Sequence, residues 1–486
     1  MNPVRRRGSF LAAGLVLTLT GCATNPVTGE RELVMLSEAQ EIAMGREADV
    51  EVRRQMGLYD DDGLQRYVEE IGLELAARSH RPDLSWSFTV VDSPVVNAFA
   101  LPGGFIYLTR GIMAFLDDEA DLAGVLGHEI GHVTARHTVQ AYTRASGAQL
   151  GLLVGGIISP AVRAVGDLAG SGLGVLFLRY GRNAELQADR LGAEYAVAGG
   201  WDPMGVQDML TTLSRISEGL DRAGVPNWLS THPEAADRVE RIRPALSELA
   251  ARVDPSELRV GRQGYLDQID GLVYGDNPDQ GVVRGRDFLH PVLRFACRFP
   301  DGWEVVNTKT QVAARQPGEE VYMVLQLVTD PATRDLKALA IGDMEGSGYQ
   351  LDAGDETTIG GLDAFVGTFT AERGDDQRAR ARVAYIDHGR SVYALGGLAE
   401  AQAYDRIESE FNESIRSFRP LSDAEAEDIR PNRLRFYTVR AGDTWQSIAR
   451  DAGAGIVPSN TLAIMNGFPV NEQPRAGERI KVAVEG

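Results

Sequence analysis

The chain has 486 residues, 43% of them hydrophobic and 24% charged, a balance that supplies a sizeable core and suggests about three domains of ordinary size. Its 49 basic and 69 acidic residues leave a formal charge of −20. Such a surface repels polyanions and excludes nucleic acid as a partner.

At the N-terminus Arg5, Arg6 and Arg7 precede a short apolar run, Phe10 to Thr20. This is the layout of a secretory signal and is too short to span a bilayer. Leu19-Thr20-Gly21-Cys22 follows. Small residues before a Cys resemble the lipobox of bacterial lipoproteins, which implies a signal peptide over residues 1–21 and lipid attachment at Cys22. Ala23 stands where an Asp would mark inner-membrane retention. By resemblance to Gram-negative sorting, the expected location is the cell envelope, lipid-anchored, facing the periplasm at the outer membrane. A lipidated Cys22 leaves Cys297 without a partner for a disulfide. Cys297 alternates with Phe295 and Phe299 and reads as a buried apolar residue.

Residues 22–262 form a mainly helical first domain. Ser37 to Glu41 opens one helix, and Gly63 to Arg78 repeats apolar residues at helical spacing. Ser85 to Val91 reads as a strand. After Asn97-Ala98-Phe99-Ala100-Leu101-Pro102-Gly103-Gly104, the run Phe105, Ile106, Tyr107, Leu108 and Thr109 is aromatic and β-branched, a second strand. As an edge strand it would dock an extended polypeptide through main-chain hydrogen bonds. Asp117 to Gly127 is an uninterrupted helical lead-in. Residues 145–162 carry no charge but contain Gln149, four Gly and Pro160, the composition of a mobile or protein-packed helical pair, with a membrane-dipping segment as the second reading.

Residues 276–420 change character. Val321 to Val328, Ala364 to Thr370 and Ala381 to Ile386 alternate as strands, His388-Gly389-Arg390 marks a turn, and Ala401 to Phe418 is an amphipathic helix. This is a small α+β domain, read as a structural or docking module. Residues 421–435 are expected to be a linker. From 436 to 486 the order is strand, a Gly442-Asp443 turn into a capped helix, second helix, strand. Tyr437-Thr438-Val439-Arg440-Ala441-Gly442-Asp443-Thr444-Trp445 resembles the start of a LysM module, a βααβ fold. The resemblance implies peptidoglycan as a partner. The second half departs from the pattern, with a longer Asp451 to Ser459 segment and Pro474-Arg475 in the last turn.

The chemistry lies in His128-Glu129-Ile130-Gly131-His132. Two His four apart on a helix differ by about 40° and project from one face one turn apart, so both imidazoles reach one tetrahedral ion. Glu129 sits where it can reach a metal-bound water as general base without ligating. Two His do not complete a catalytic zinc site. His137 is nine residues from His128, about 900° of helical rotation, which sets it on the opposite face as a structural histidine. Glu185 and Asp189 are four apart on a helical pattern, so one can ligate while the other orients a ligating imidazole.

His-Glu-x-x-His, Glu-x-x-x-Asp some fifty residues later, Asn97 to Gly111 ahead and Thr231-His232-Pro233 behind together resemble a gluzincin zinc metallopeptidase family. It includes the CAAX prenyl endopeptidase, the HtpX protease and BepA-type periplasmic proteases, and the resemblance runs from Asn25 to about residue 245. It implies one Zn²⁺ held by His128, His132 and Glu185, with Glu129 as catalytic base and Asp189 behind a ligand. His232 matches a histidine that approaches the metal in the periplasmic members, in a regulatory or transition-state role. The expected function is a metalloendopeptidase acting on unfolded or misassembled envelope polypeptides. The rival is a lipid-anchored chaperone or scaffold bound to peptidoglycan, and the intact Glu129, both His and Glu185 favour the enzyme.

Overall fold

The computed structural model describes residues 21–145, 179–219, 232–233, 235–328, 333–372 and 378–486. The expected signal segment up to residue 20 and the uncharged stretch from residue 146 lie outside them. Among the described residues no helix is long and apolar enough to cross a membrane.

The first unit opens with the hairpin β1 (Gly21–Thr24) and β2 (Arg31–Val34). Then come α1 (Glu38–Met56), α2 (Asp62–Ala76), β3 (Ser87–Val91), β4 (Ala98–Leu101), β5 (Phe105–Thr109), α3 (Arg110–Met113) and α4 (Glu119–Thr134). After them come α5 (Arg182–Ala198), α6 (Met204–Gly219), α7 (Ala235–Ala250), α8 (Arg262–Gln268) and β6 (Val273–Tyr274). Helix starts follow capping chemistry. Ser37 and Gln40 form a reciprocal capping box on α1, and Asp118 accepts from the Asp121 N–H to start α4.

The three-stranded sheet of this unit runs β3-β5-β4. Phe105 to Thr109 is therefore its central strand, parallel to β3 and antiparallel to β4. The expected edge-strand role for Phe105, Ile106, Tyr107, Leu108 and Thr109 is overturned, because both rows of backbone groups are already paired. The error has a local cause. Ala98–Leu101 is also a strand, and the turn at Gly103 and Gly104, with φ of +85° and +100°, folds it back onto β5.

The central unit comprises β7 (Val282–Arg284), β8 (Asp287–His290), β9 (Phe295–Arg298), β10 (Glu304–Asn307), β11 (Gln311–Arg315), β12 (Tyr322–Val328) and α9 (Leu336–Gly346). It continues through β13 (Gln350–Ile359), β14 (Leu362–Glu372), β15 (Arg378–His388), β16 (Ser391–Glu400), α10 (Ala401–Arg416) and β17 (Arg419–Pro420). One sheet has seven strands in the order β10-β11-β12-β16-β15-β14-β13, and a second runs β17-β9-β8-β7. Cys297 is buried between Phe295 and Phe299, and burial pushes its thiol pKa up, as befits an inert apolar residue.

The chain ends with α11 (Asp423–Glu427), β18 (Asn432–Thr438), α12 (Trp445–Asp451), α13 (Ser459–Met465) and β19 (Arg479–Glu485). Residues 421–435, expected as a linker, are ordered against the body. Leu421 and Ile429 are buried with Val282 and Ala296, and β18 begins at Asn432. Strand β18 also pairs with β6, so the C-terminal unit shares a sheet with the first. Leu434, Trp445, Leu462 and Ile480 belong to the same hydrophobic cluster as Leu126, Trp201 and Leu210. Lys481, fully buried, donates to the Leu116 carbonyl at 2.5 Å and pairs with Asp117 at 3.1 Å, just ahead of α4.

Candidate metal centre

Helix α4 is buried along nearly its whole length, and it approaches α5 closely. A Cβ on Gly127 would stand 2.8 Å from the Gly192 carbonyl, and one on Gly192 2.8 Å from the His128 nitrogen. Glycine on both helices therefore permits the approach, which brings His128 and His132 on one helix to Glu185 and Asp189 on the other.

His128, His132, Glu185 and His232 each offer a donor atom within 4.8 Å of the other three. The Nε2 atoms of His128 and His132 are 3.0 Å apart, and His232 Nδ1 lies 3.3 Å from His128 Nε2. Glu185 Oε1 is 3.1 Å from His232 Nδ1 and 3.5 Å from His132 Nε2. Donors around a tetrahedral zinc at 2.0–2.1 Å are separated by about 3.3 Å. Three imidazoles and a carboxylate at these spacings fit that ion in number, type and geometry.

The groups behind the donors set their orientation. His128 turns its Nδ1 to Asp189 Oδ1 at 2.9 Å, which leaves Nε2 facing the cluster. His132 Nδ1 is 3.0 Å from His137 Nδ1, and His137 Nε2 is 3.0 Å from Gln187 Oε1. His137 is thus not on the opposite face. The helix stops at Thr134, Arg136 adopts a left-handed φ of +57°, and the chain turns His137 back beside His132. Burial pushes the His137 pKa down to about 4 and that of His132 well below its ordinary value, where the neighbouring His128 and His137 add to the effect. Both rings are therefore neutral, the state a ligating imidazole requires.

Arg238 is a residue that the sequence pattern did not bring forward. It is 1% exposed on α7. Its Nε and Nη2 hold Asp189 at 2.8 and 2.5 Å, and its Nη1 reaches Glu185 Oε2 at 2.6 Å. Burial alone would raise the Asp189 carboxyl, but the Arg238 charge outweighs it and holds the group well below the usual carboxylate range. A signal was available: the buried positions of α7 are Ala235, Arg238, Ile242 and Leu246, so the arginine occupies an apolar stripe. Tyr180 is a second such residue. Its ring stacks on His132 with centroids 3.9 Å apart, and its hydroxyl bonds Thr138 Oγ1 at 2.9 Å.

Glu129 is fully buried, and neither of its carboxylate oxygens takes part in a hydrogen bond among the described residues. His232 Nε2 stands 3.6 Å from Glu129 Oε1. A buried carboxylate without hydrogen bonds is costly to a fold and marks a reactive position.

The segment carrying this cluster has known relatives. The mitochondrial metalloendopeptidase OMA1 of Arabidopsis thaliana is 31% identical over 230 residues, 46% of this chain and 45% of its own. The beta-barrel assembly-enhancing protease of Yersinia pestis is 30% identical over 326 residues, 63% of this chain and 65% of its own. The chain thus spans about half to two thirds of the length of these relatives. Among solved structures, that of cyanobacterial PsbP from Synechocystis sp. PCC 6803 covers 31% of this chain and 93% of its own at 14% identity. Its TM-score of 0.21 is too low to argue a shared fold. Residues 63–245, which supply His128, Glu129, His132, Glu185, Asp189, His232 and Arg238, match the model of Peptidase family M48.

Proposed function

We propose that the chain is a zinc-dependent endopeptidase that hydrolyses unfolded or misassembled polypeptides of the cell envelope. The observation that carries this is one constellation: four convergent donors at zinc spacing, with the carboxylate of Glu129, unbonded among the described residues, beside them. The names of the relatives, metalloendopeptidase and beta-barrel assembly-enhancing protease, support the reaction.

His128, His132 and Glu185 would hold the ion, with Asp189 and Arg238 fixing His128 and Glu185 in place. Zinc supplies Lewis acidity, polarising a peptide carbonyl and drawing the pKa of a water toward about 7. Glu129 would accept a proton from the attacking water and deliver it to the departing amide nitrogen. His232 would supply a fourth donor, and an ion held by four protein donors would have no open position. This supports a resting state that is switched off until His232 withdraws.

The order β18, α12, α13, β19 supports a LysM-like module, and peptidoglycan contact through it is part of the proposal. So is a lipid anchor at Cys22. Cys22 lies in β1, three residues before Asn25, whose side chain donates to the Ala135 carbonyl just past α4 at 3.3 Å. Three residues span at most about 10 Å, so an anchor there keeps the metal-bearing helix close to the membrane. Loss of radioactive palmitate label on Cys22→Ala checks the anchor, and retained label refutes it.

Cleavage of casein by the purified chain tests the enzymatic reading. Activity should vanish with a chelator and return with zinc. Activity indifferent to chelation would overturn it.

A further inference from the structure

The two histidines of α4 are backed in different ways. His128 turns its Nδ1 to Asp189 Oδ1 at 2.9 Å. An ionised carboxylate only accepts, so the ring proton sits on Nδ1 and Nε2 is left open for an ion. Arg238 holds that carboxylate from behind at 2.8 and 2.5 Å. The arrangement has one sense only.

His132 lacks a carboxylate behind it. Its Nδ1 meets Nδ1 of His137 at 3.0 Å, and the nitrogen of a neutral imidazole donates or accepts according to its tautomer. The choice passes to the far side of His137, where Nε2 lies 3.0 Å from Gln187 Oε1. An amide oxygen only accepts, so His137 carries its proton on Nε2 and accepts at Nδ1. His132 must then donate from Nδ1. This leaves its Nε2 without a proton, 3.0 Å from His128 Nε2 and 3.5 Å from Glu185 Oε1. Were the Gln187 amide turned over, its NH₂ would face His137 and each proton in the row would move to the other end of its ring. One would then stand on His132 Nε2, where the ion belongs. His137 is buried, and among the described residues neither of its ring nitrogens has another hydrogen-bond partner. Gln187 is half-buried and lines a cleft of about 520 Å³ with His137, Arg144 and Tyr180.

We propose that Gln187 is a positioning residue for the metal: through His137 it fixes the tautomer of His132 and so sets how tightly zinc is held. The inference rests on the zinc reading above and concerns a side chain two hydrogen bonds behind a ligand. A carboxylate in its place would accept more strongly, and the row of hydrogen bonds would make His132 a stronger ligand.

The test is competition for zinc against a chromophoric chelator, on the full chain near neutral pH. Gln187→Leu removes the acceptor at similar volume and should weaken zinc about 10–100-fold. Gln187→Glu should tighten it. That gain should vanish in a chain that also carries His137→Phe, because the relay is cut, whereas an effect of bare charge on the ion would persist. Gln187 is outside the core, so its single variants should keep the fold, which circular dichroism verifies. If the double variant fails to fold, Gln187→Leu decides alone. Parental affinity in folded Gln187→Leu, or a Gln187→Glu gain that survives His137→Phe, would overturn the relay. A parent chain that binds no zinc would instead overturn the zinc reading, and the relay with it.

Discussion

At the scale of single residues, the zinc-type cluster rests on groups that do not themselves face the ion. Arg238 neutralises two buried carboxylates, and removing one partner from a buried ionic network costs about 3–5 kcal/mol. Arg238→Leu should therefore lower the melting temperature strongly and weaken zinc binding by roughly 10–100-fold through the loosened Glu185 and Asp189. Isothermal titration with zinc checks this, and parental affinity in a folded variant would refute the clamp. His232 makes a second test. If it closes the fourth position, His232→Ala at matched zinc content should raise basal casein cleavage. A fall in rate with zinc retained would assign it to stabilising the tetrahedral intermediate instead. What was legible here followed from spacing: His128 and His132 lie one helical turn apart, and that geometry survives any tertiary context. His137 was misplaced because a nine-residue helical rotation assumes an unbroken helix, and Arg136 breaks it.

At the scale of elements, the metal site depends on how closely α4 and α5 pack. Glycines at 124, 127 and 131 recur along the buried face of α4, a pattern readable in the sequence once its purpose is known. Gly127→Ala would place a methyl group 2.8 Å from the Gly192 carbonyl. Overpacking of this kind costs about 1–3 kcal/mol, and the helices can relieve it only by moving apart. Zinc content after dialysis should fall in Gly127→Ala although no donor is altered. Full occupancy would show that the site tolerates a wider helix separation. The β5 strand teaches the complementary lesson. Its composition announces a strand, but whether a strand is central or at an edge is decided by its neighbours, and Ala98–Leu101 was not among the expected strands.

At the scale of the whole molecule, the C-terminal unit shares the core of the first unit. Its βααβ order was readable from the Gly442-Asp443 turn and the Thr444 cap, since local chemistry dictates both. Its docking was not, because Lys481 sits among apolar strand residues and finds Asp117 only through long-range contact. Near that junction Asp121 is buried, and burial, reinforced by Asp118 and Asp117, holds its carboxyl well above the ordinary range. Above about pH 4 an unfolded aspartate has released its proton while the folded chain still favours binding it, so this group's contribution to stability falls as pH rises from there. Asp121→Asn keeps an acceptor for the Asp117 N–H. It should melt higher than the parent near neutral pH and together with it near pH 4. An equal shift at both would rule out titration of Asp121 as the cause.

The central claim is that Glu129 works as a base beside a zinc ion it does not hold. Zinc content and casein cleavage measured together on Glu129→Gln test it most directly. The account predicts one zinc per chain, as in the parent, with turnover lower by about 10²–10⁴-fold. Parental turnover, or loss of the metal along with the activity, would contradict it.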